Sequence, residues 1–402
     1  MTMITKQDIL DYIYNNFQEA LYNIHLFKIQ ITDELMDLFN EISDNSNDLQ
    51  YNSQKYFIGS VVDEISEKYK VFYERKFKLE NLLKLELPEQ RSPEWYALRN
   101  NILTASSFAA ALDKCHFTSR DELIYDKIVP KPYETNPITE WGVKYEEIAT
   151  LFYQSITGTV VKEFGLIPHP TFPIFGASPD GICDDSGPME CCARMLEIKC
   201  PPKRKFSKSV PEHYWMQMQG QLEVCDLEEC DFLQVKLEEY ENYDDYKSDI
   251  HTDPSKFGFT SEDLPKGYTI TYLKEPNSNK MHYLYCPLFS TNSQIEMWKE
   301  EQINLLETNK YIPKEEKYWK ITRYECTLVK RDKEWWSNVV GDIYQFYNDL
   351  LYYKTDNNVE ILKKRVAEKN SKKKVYHVAE VIDDFCLISD DEDNSDSSNS
   401  SS

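Results

Sequence analysis

The chain has 402 residues, of which 41% are hydrophobic and 29% are charged, and this composition is typical of a folded globular protein and not of a disordered one. No apolar run approaches the roughly 20 residues that a membrane helix needs, and the N-terminus has no signal-peptide pattern, so we expect a soluble intracellular protein without a membrane partner. The net charge of −23 disfavours a nucleic-acid partner unless basic residues are concentrated in one place.

Residues 1–90 are predicted to form a helical N-terminal region. Apolar residues recur there at the spacing of an amphipathic helix, first at Ile9, Leu10, Tyr12, Ile13 and Phe17, then at Leu35, Leu38, Phe39 and Ile42. A loop is expected at residues 44–48, and Pro88 and Pro93 indicate a boundary to the next region. Nothing in this region indicates chemistry, so its role stays open.

Residues 91–354 are predicted to form one α/β domain. Helical stretches alternate there with short runs typical of strands, at residues 195–199, 231–237, 268–273 and 318–329. Residues 355–402 are predicted to be a charged tail that is disordered toward its end, because an acidic and Ser/Asn-rich composition cannot bury a core. From Tyr376 onward the tail has eight acidic residues and no Lys or Arg, so it contributes −8 to the net charge.

The ten cysteines are scattered along the chain, and no C-x2-C pair occurs. The closest group is Cys183, Cys191, Cys192 and Cys200, in which the vicinal pair is poorly spaced for a zinc or iron–sulfur site. We therefore expect reduced thiols that ligate no metal.

The strongest chemical signal is the sequence S-P-D-G at 178–181, followed by L-E-I-K-C-P at 196–201. Side chains alternate along a strand, so Glu197 and Lys199 share one face while Leu196 and Ile198 enter the core. Asp180 precedes Glu197 by 17 residues, with turn-forming residues at 184–188 between them. This length suits a hairpin that returns Asp180 to the side of Glu197.

Asp, Glu and Lys at these positions suit metal-dependent hydrolysis of a phosphodiester. Asp180 and Glu197 are hard oxygen ligands for Mg²⁺ or Mn²⁺, and the peptide carbonyl of Ile198 can add a third oxygen. The Lys199 ammonium can orient a water molecule and stabilise charge in the transition state. The alternative is a surface hairpin that carries an ordinary Glu/Lys pair.

These residues resemble the PD-(D/E)XK nucleases, and among them the YqaJ-type viral recombinases related to the phage lambda exonuclease. The resemblance covers roughly residues 92–235 and rests on four blocks in order. They are W-Y-A-L-R at 95–99 with T-A-S at 104–106, the segment 141–146, the D-G and E-I-K pair, and Y-W-M-Q-M-Q at 214–219. The resemblance implies a restriction-endonuclease-like core, a mixed sheet flanked by helices, and a large DNA virus as the source.

The family's roles imply that Glu146 is a helix-borne ligand of the metal and that Gln217 contacts the reactive water or the site carboxylates. Helical periodicity agrees with the first role, since Glu146 borders a predicted apolar face while Glu147 points away. That face consists of Tyr145, Ile148, Ala149, Phe152 and Ile156. Gln217 lies on a different helix face from the core stripe of Trp215, Met218, Leu222 and Cys225. A solvated Glu and a surface Gln are the alternatives.

In the family, the Arg of the first block and the Ser of T-A-S form a pocket for a 5′-phosphate, and these positions are Arg99 and Ser106. The alternatives are an Arg99 that pairs with a surface carboxylate and a Ser106 that caps a helix. Lys203, Arg204 and Lys205 directly follow the catalytic strand and offer positive charge for a DNA backbone, or else form a solvated loop. His213 is expected to be a solvated or capping residue and not a catalytic one. His169 is expected to be a packing residue, with a metal ligand as the alternative.

The resemblance implies a 5′-3′ exonuclease that uses Mg²⁺ or Mn²⁺ on linear duplex DNA with 5′-phosphate ends, in recombination or repair. It also implies a single-strand annealing protein as a partner and assembly into a homo-oligomer. Three alternatives stay open: an endonuclease, a Cas4-like trimming nuclease, and a catalytically idle DNA-binding partner in recombination. The enlarged segment at 187–194, between the two strands, departs from the family and leaves the hairpin's length in question.

Overall fold

The computed structural model describes residues 3–42, 48–88, 92–129, 136–202, 206, 209–278 and 280–376. Its α-helices are α1 (Lys6–Phe17), α2 (Lys28–Ile42), α3 (Asp48–Leu83), α4 (Pro93–Asn101), α5 (Phe108–Ala111), α6 (Arg120–Ile128), α7 (Pro137–Thr157), α8 (Glu212–Cys225), α9 (Tyr243–Ser248), α10 (Asn292–Thr308), α11 (Lys333–Tyr353) and α12 (Asp356–Tyr376). Short 3-10 helices lie at Gln18–Leu26, Ala105–Ser107 and Met189–Cys191.

The strands are β1 (Leu103–Thr104), β2 (Val161–Lys162), β3 (Ile167–Pro168), β4 (Phe175–Ala177), β5 (Gly181–Cys183), β6 (Met195–Lys199), β7 (Glu229–Glu239), β8 (Lys266–Leu273), β9 (His282–Tyr285) and β10 (Ile312–Lys330). A seven-stranded sheet has the order β2-β5-β6-β7-β10-β8-β9, and β1, β4 and β3 form a smaller sheet. Only β6 and β7 pair in parallel within the larger sheet, through a connection that contains α8. All four predicted strand runs lie within observed strands.

Helices cover both faces of the central strands. On one face, Tyr145, Ile148 and Phe152 of α7 pack against Leu196 and Ile198 of β6. On the other face, a cluster that we call the α8-side core joins Met218 and Leu222 of α8 to Met195 and Phe232 of the sheet. Strand β6 is therefore held between α7 and α8. The predicted architecture is confirmed: a mixed sheet flanked by helices, with a helical N-terminal region.

The N-terminal region is helical, as predicted, and α1 and α2 pack on the first half of α3. The last turns of α3 leave that bundle, because Leu79 and Leu82 belong to the α8-side core. Arg75 of α3 also forms an ion pair of 2.9 Å with Glu229 of β7. The expected loop at 44–47 lies outside the described residues, and Asp48 begins α3. The division near residue 90 stays a prediction, since residues 89–91 also lie outside them.

The first part of the expected charged tail is a packed helix. Leu362 of α12 is fully buried beside α6 and α11. Arg365 and Lys369 form ion pairs with the buried Asp121 of α6, at 3.1 and 3.0 Å. The acidic segment from residue 377 onward lies outside the described residues. Among the helices that the structure does describe, none combines the length and apolarity needed to cross a membrane.

Candidate active site

The hairpin predicted between Asp180 and Glu197 is formed by β5 and β6. The two strands are antiparallel, with Gly181 opposite Leu196, so Asp180 stands directly before β5 at the side of β6. An oxygen of the Asp180 carboxylate (Oδ2) accepts a hydrogen bond of 2.6 Å from the backbone N–H of Ile198. Gly181 allows β2 to lie close to β5, since a Cβ at position 181 would lie 2.1 Å from Cγ1 of Val161 in β2. Asp180 is thereby fixed beside both Glu197 and Lys199.

Glu197 is fully buried, and α8 holds it in place. Its Oε1 accepts a hydrogen bond of 2.7 Å from Nε2 of Gln217, and its Oε2 accepts one of 2.8 Å from Nε2 of Gln221. Lys199 donates a further hydrogen bond to Oε1. A buried carboxylate needs such partners because burial removes its water. Gln217 therefore contacts a site carboxylate, which is one of the two contacts that the family resemblance implies.

Lys199 is the cation of the candidate site. Burial alone disfavours its charged form, but the carboxylates of Glu197 and Asp180 outweigh burial and raise the pKa of Lys199 above its ordinary value. Its ammonium also lies 5.0 Å from the centre of the Tyr214 ring, at cation–π distance. Lys199 is thus a protonated amine at neutral pH, held in position by an anion and an aromatic ring.

Glu146 of α7 completes a group of three carboxylates. Burial, followed by the charges of Glu197 and Glu146, raises the pKa of Asp180 well above its ordinary value. Glu146 and Asp180 also act together on the neighbouring Cys200, whose thiol pKa is raised by burial and by both charges. Three acidic groups with one lysine leave negative charge at this place that a cation would neutralise.

The helical turn that carries Glu146 is tied to the sheet at several points. Oε1 of Glu239, at the end of β7, accepts hydrogen bonds of 2.6 Å from both Nζ of Lys144 and the hydroxyl of Tyr145. The hydroxyl of Tyr285 donates to the Lys144 carbonyl at 2.8 Å. The position of Glu146 is therefore supported by the contacts of the two residues that precede it in the chain.

The prediction for the apolar face of α7 is wrong at Ile156. Tyr145, Ile148, Ala149 and Phe152 are buried, but Ile156 is 47% exposed, because it lies in the last turn of α7, past the edge of the core. Glu147 was expected to point away, yet burial and the charges of Glu163 and Glu146 raise its pKa. The turn therefore places two acidic residues in partly buried positions.

The residues present fit a divalent cation by donor chemistry. Carboxylates of Asp180, Glu197 and Glu146 are the hard oxygen ligands that Mg²⁺ and Mn²⁺ prefer, and the Ile198 carbonyl lies on the same strand as Glu197. Several of these oxygens are occupied by hydrogen bonds from Lys199, Gln217, Gln221 and the Ile198 N–H. Within the described part of the chain, no three carboxylate, imidazole or thiol side chains are arranged to hold a metal ion.

Arg99 and Ser106 lie together, as the family resemblance implies. A terminal nitrogen of the Arg99 guanidinium (Nη2) donates a hydrogen bond of 3.0 Å to Oγ of Ser106, and the guanidinium lies 4.9 Å from the centre of the Trp95 ring. Within the described ranges no carboxylate pairs with Arg99. Ser107, not Ser106, precedes α5, and it makes no capping hydrogen bond. The geometry therefore supports neither a surface ion pair of Arg99 nor a helix cap by Ser106.

The remaining candidates are placed as follows. Lys203, Arg204 and Lys205 lie outside the described residues. His169 is buried and its ring stacks 6.4 Å from that of Trp336, so it packs as expected. Its Nδ1 also accepts hydrogen bonds from the backbone N–H groups of Thr171 and Phe172. The ring of His213 packs 4.1 Å from that of Tyr214. The four cysteines of the closest group are buried free thiols.

The sequence analysis missed two residues of the site. Gln221 was given no role, although it is buried and bonded to Glu197. The signal was its spacing, because residues four apart on a helix are neighbours. Tyr214 was part of the matching block, but its contact with Lys199 depends on how α8 crosses the sheet.

Comparison with known proteins identifies the segment that carries this geometry. Residues 94–228 match the family described as the YqaJ-like viral recombinase domain. Residues 94–228 thus resemble a YqaJ-like viral recombinase domain, and we call this matched segment the recombinase domain. The resemblance inferred from the four sequence blocks is confirmed. The matched segment spans the hairpin of Asp180 and Glu197, the helices α7 and α8, and the Arg99–Ser106 pair.

The chain is similar to a protein of a large DNA virus and, more weakly, to two solved exonuclease structures. An uncharacterized protein of Acanthamoeba polyphaga mimivirus is 30% identical over 352 residues, which are 80% of this chain and 63% of that protein. The chain therefore spans less than two thirds of that relative. An alkaline exonuclease from Laribacter hongkongensis is 21% identical, with a TM-score of 0.38, over 69% of this chain and 99% of its own. A phage-related exonuclease from Haemophilus somnus is 12% identical, with a TM-score of 0.34, over 63% of this chain and 96% of its own.

Proposed function

We propose that this chain is a Mg²⁺- or Mn²⁺-dependent deoxyribonuclease that degrades linear duplex DNA in the 5′-3′ direction, in recombination or repair. The observation that carries the proposal is the convergence of Asp180, Glu197 and Lys199 at the β5–β6 hairpin of a YqaJ-like viral recombinase domain. A single-strand annealing protein as a partner and assembly of several copies belong to the same proposal.

Hydrolysis of a phosphodiester requires an activated water and neutralisation of the charge that builds on the phosphate. A divalent cation, when bound, supplies the Lewis acidity for both tasks. Asp180, Glu197, Glu146 and the Ile198 carbonyl would hold it, since they are the oxygen donors gathered at this place. The excess negative charge of the three carboxylates favours a cation and disfavours a bare DNA phosphate.

Lys199 has a different task from the carboxylates. Its protonated amine donates hydrogen bonds and supplies positive charge next to the carboxylates, where a phosphate oxygen or the attacking water would lie. Gln217 and Gln221 hold both oxygens of Glu197, so the carboxylate cannot rotate away from β6. The Tyr214 ring lies beside the Lys199 ammonium and restricts its position. Such a preorganised arrangement lowers the barrier because little reorientation is needed during the reaction.

The test compares end-labelled linear duplex with covalently closed circular duplex, in Mg²⁺, Mn²⁺ or EDTA. We expect digestion of the linear DNA alone, and none in EDTA. Glu197→Gln and Lys199→Ala should each lower the rate by at least about 100-fold. Lys236→Ala and Glu238→Gln are matched controls, because this ion pair lies exposed on the neighbouring strand β7 and should not affect the rate. Cutting of closed circles would favour the endonuclease or trimming nuclease, and binding without cleavage would favour the idle partner.

In this proposal, the direction of digestion depends on a 5′-phosphate pocket formed by Arg99 and Ser106. A terminal phosphate carries more charge than an internal diester, and the planar guanidinium of Arg99 can bond two of its oxygens while Ser106 bonds a third. Wild-type protein should therefore degrade 5′-phosphorylated duplex faster than 5′-hydroxyl duplex. Arg99→Ala should remove that preference, while metal-dependent cleavage persists. Equal rates on the two ends in the wild type would contradict the pocket and favour an endonuclease.

A further inference from the structure

Lys127 lies on α6 and binds the end of the helix that carries Arg99. Its Nζ donates hydrogen bonds to the backbone carbonyls of Arg99, at 3.2 Å, and of Ile102, at 2.6 Å. The last carbonyls of a helix have no partner within the helix, and a lysine ammonium there satisfies them. Lys127 therefore fixes the main chain at Arg99, while Trp95 and Ser106 fix its guanidinium.

The surroundings of Lys127 are cationic. Burial, with the positive charges of Arg99 and of Lys354 after α11, lowers the pKa of Lys127 to about 8. The acidic residues of α6 have other partners: Asp121 pairs with Arg365 and Lys369 of α12, and Glu122 caps α6 at Ser119. Among the described residues, no carboxylate influences the pKa of Lys127 or of Arg99. Arg99, Lys127 and Lys354 thus form a cationic group, an arrangement that favours an anionic ligand.

We propose that Lys127 is a positioning residue for recognition of the DNA end, which ties the last turn of α4 to α6 and so orients Arg99 toward a terminal phosphomonoester. The inference rests on the proposed function, since it concerns the same pocket. Lys127 acts through Arg99 and through its charge, and it lies on a different element from the hairpin of Asp180 and Glu197. Its loss should therefore affect the preference for a 5′-phosphate, not the metal-dependent step itself.

The preference should depend on pH. As the pH rises through about 8, Lys127 loses its proton and its charge, and its hydrogen bonds to the Arg99 and Ile102 carbonyls weaken. A phosphomonoester has its second pKa near 6, so the DNA end stays dianionic throughout this interval. The ratio of rates on 5′-phosphate and 5′-hydroxyl duplex also cancels the pH dependence of the common cleavage step. A fall in this ratio between about pH 7 and 9 would therefore report on Lys127.

The experiment measures kcat/KM on both duplexes for the full chain with Mg²⁺, at pH 7 and pH 9. Lys127→Met should lower the ratio at pH 7 by about tenfold or more, the loss expected for a charge-assisted hydrogen bond. Lys127→Arg stays charged and should keep at pH 9 the ratio that the wild type has lost. Lys354→Met is the matched control, since it removes a nearby charge that makes no backbone hydrogen bond, and it should keep the ratio at pH 7.

The outcomes separate this inference from the proposed function. A wild type that shows no 5′-phosphate preference at pH 7 contradicts the end-recognition pocket itself. A preference that survives in Lys127→Met, or that is equal at pH 7 and 9 in the wild type, overturns the role of Lys127 alone. If Lys127→Met does not fold, as judged by circular dichroism, the comparison of wild type with Lys127→Arg at pH 9 decides, because both keep a side chain that can bond the carbonyls.

Discussion

Asp180 is the residue whose charge opposes folding most clearly in the candidate site. Burial and the carboxylates of Glu197 and Glu146 raise its pKa well above the ordinary value. The folded, metal-free chain therefore holds this proton more tightly than the unfolded chain does. The contribution of Asp180 to the free energy of unfolding consequently falls as the pH rises from about 4 through the folded-state pKa. Asp180 therefore contributes less to the stability of the metal-free protein at neutral pH than at pH 4.

Asp180→Asn should raise the melting temperature of the metal-free protein at pH 7 while it abolishes cleavage. Asn keeps an oxygen that accepts the Ile198 N–H, but it carries no charge. In EDTA we expect the melting temperature to rise by about 2 °C. A gain of about 1 kcal/mol in the free energy of unfolding has this effect in a protein of this size. The rise should shrink as the pH is lowered toward 4, where Asp180 becomes protonated in both states.

Asp184 is a control for which substitution by Asn should change the melting temperature in the opposite direction. Burial opposes its charged form, but hydrogen bonds from Ser186 and the charge of Lys162 outweigh burial and hold its pKa below the ordinary value. Its stabilising contribution is present at neutral pH and is lost as the pH falls through its folded-state pKa. Asp184→Asn should therefore lower the melting temperature at pH 7. A similar decrease for Asp180→Asn would refute the electrostatic account of the site.

Strand alternation and spacing were enough to predict that Glu197 and Lys199 share a face and that Asp180 returns beside them. The complete burial of Glu197 could not be predicted in this way. It depends on Gln217 and Gln221, which are 20 and 24 residues away in the chain and reach Glu197 only because α8 crosses that face of the sheet. Local patterns determine which face a side chain takes, whereas its partners are set by tertiary packing.

Helix α3 joins the N-terminal bundle to the recombinase domain. Its first half packs with α1 and α2, and its last turns place Leu79 and Leu82 in the α8-side core. Arg75 donates to the Glu190 carbonyl at 2.8 Å, so α3 also supports the enlarged segment between β5 and β6. The sequence predicted a helical region at residues 1–90 but not what α3 contacts, because the α8-side core is assembled from distant parts of the chain.

Leu79→Ala should therefore destabilise the recombinase domain. Leu79 is 2% exposed, and truncation of a buried leucine costs about 2 to 5 kcal/mol through lost burial and the cavity that remains. Leu83→Ala on the same helix is the matched control, since Leu83 is 49% exposed and should cost well under about 1 kcal/mol. Chemical denaturation measures both. Equal midpoints for the two variants would show that the end of α3 does not support the core.

Helix α12 shows why charge-rich segments are difficult to predict. The lysine-rich runs and the Ser/Asn-rich end of the chain indicated a charged tail, because such a composition cannot bury a core. The structure buries Leu362, packs Val366 against the same cluster and pairs Arg365 and Lys369 with the buried Asp121. The partner carboxylate lies more than 240 residues earlier in the chain. The sequence of the segment therefore does not show which distant residues hold the helix.

At the scale of the whole molecule, the negative charge is distributed unevenly. Residues 377–402 contribute −8 of the net −23, which leaves −15 for the rest of the chain. A DNA-degrading enzyme with this balance must bind its substrate against a repulsive average field. Such a field acts over about 10 Å at 0.1 M salt, so it weakens as salt is added.

Removal of residues 377–402 should therefore strengthen DNA binding at low salt. The measurement uses the Glu197→Gln background, so that the DNA is not degraded, and follows the dissociation constant for a 5′-phosphorylated duplex at about 50 and 300 mM salt. We expect a severalfold tighter complex at the lower salt and a small difference at the higher one. A chain of full length with the eight acidic residues replaced by Asn and Gln separates charge from length, because it should bind as the truncated chain does. Weaker binding by either variant would indicate that these residues contact the DNA or the fold directly, in place of acting through their charge.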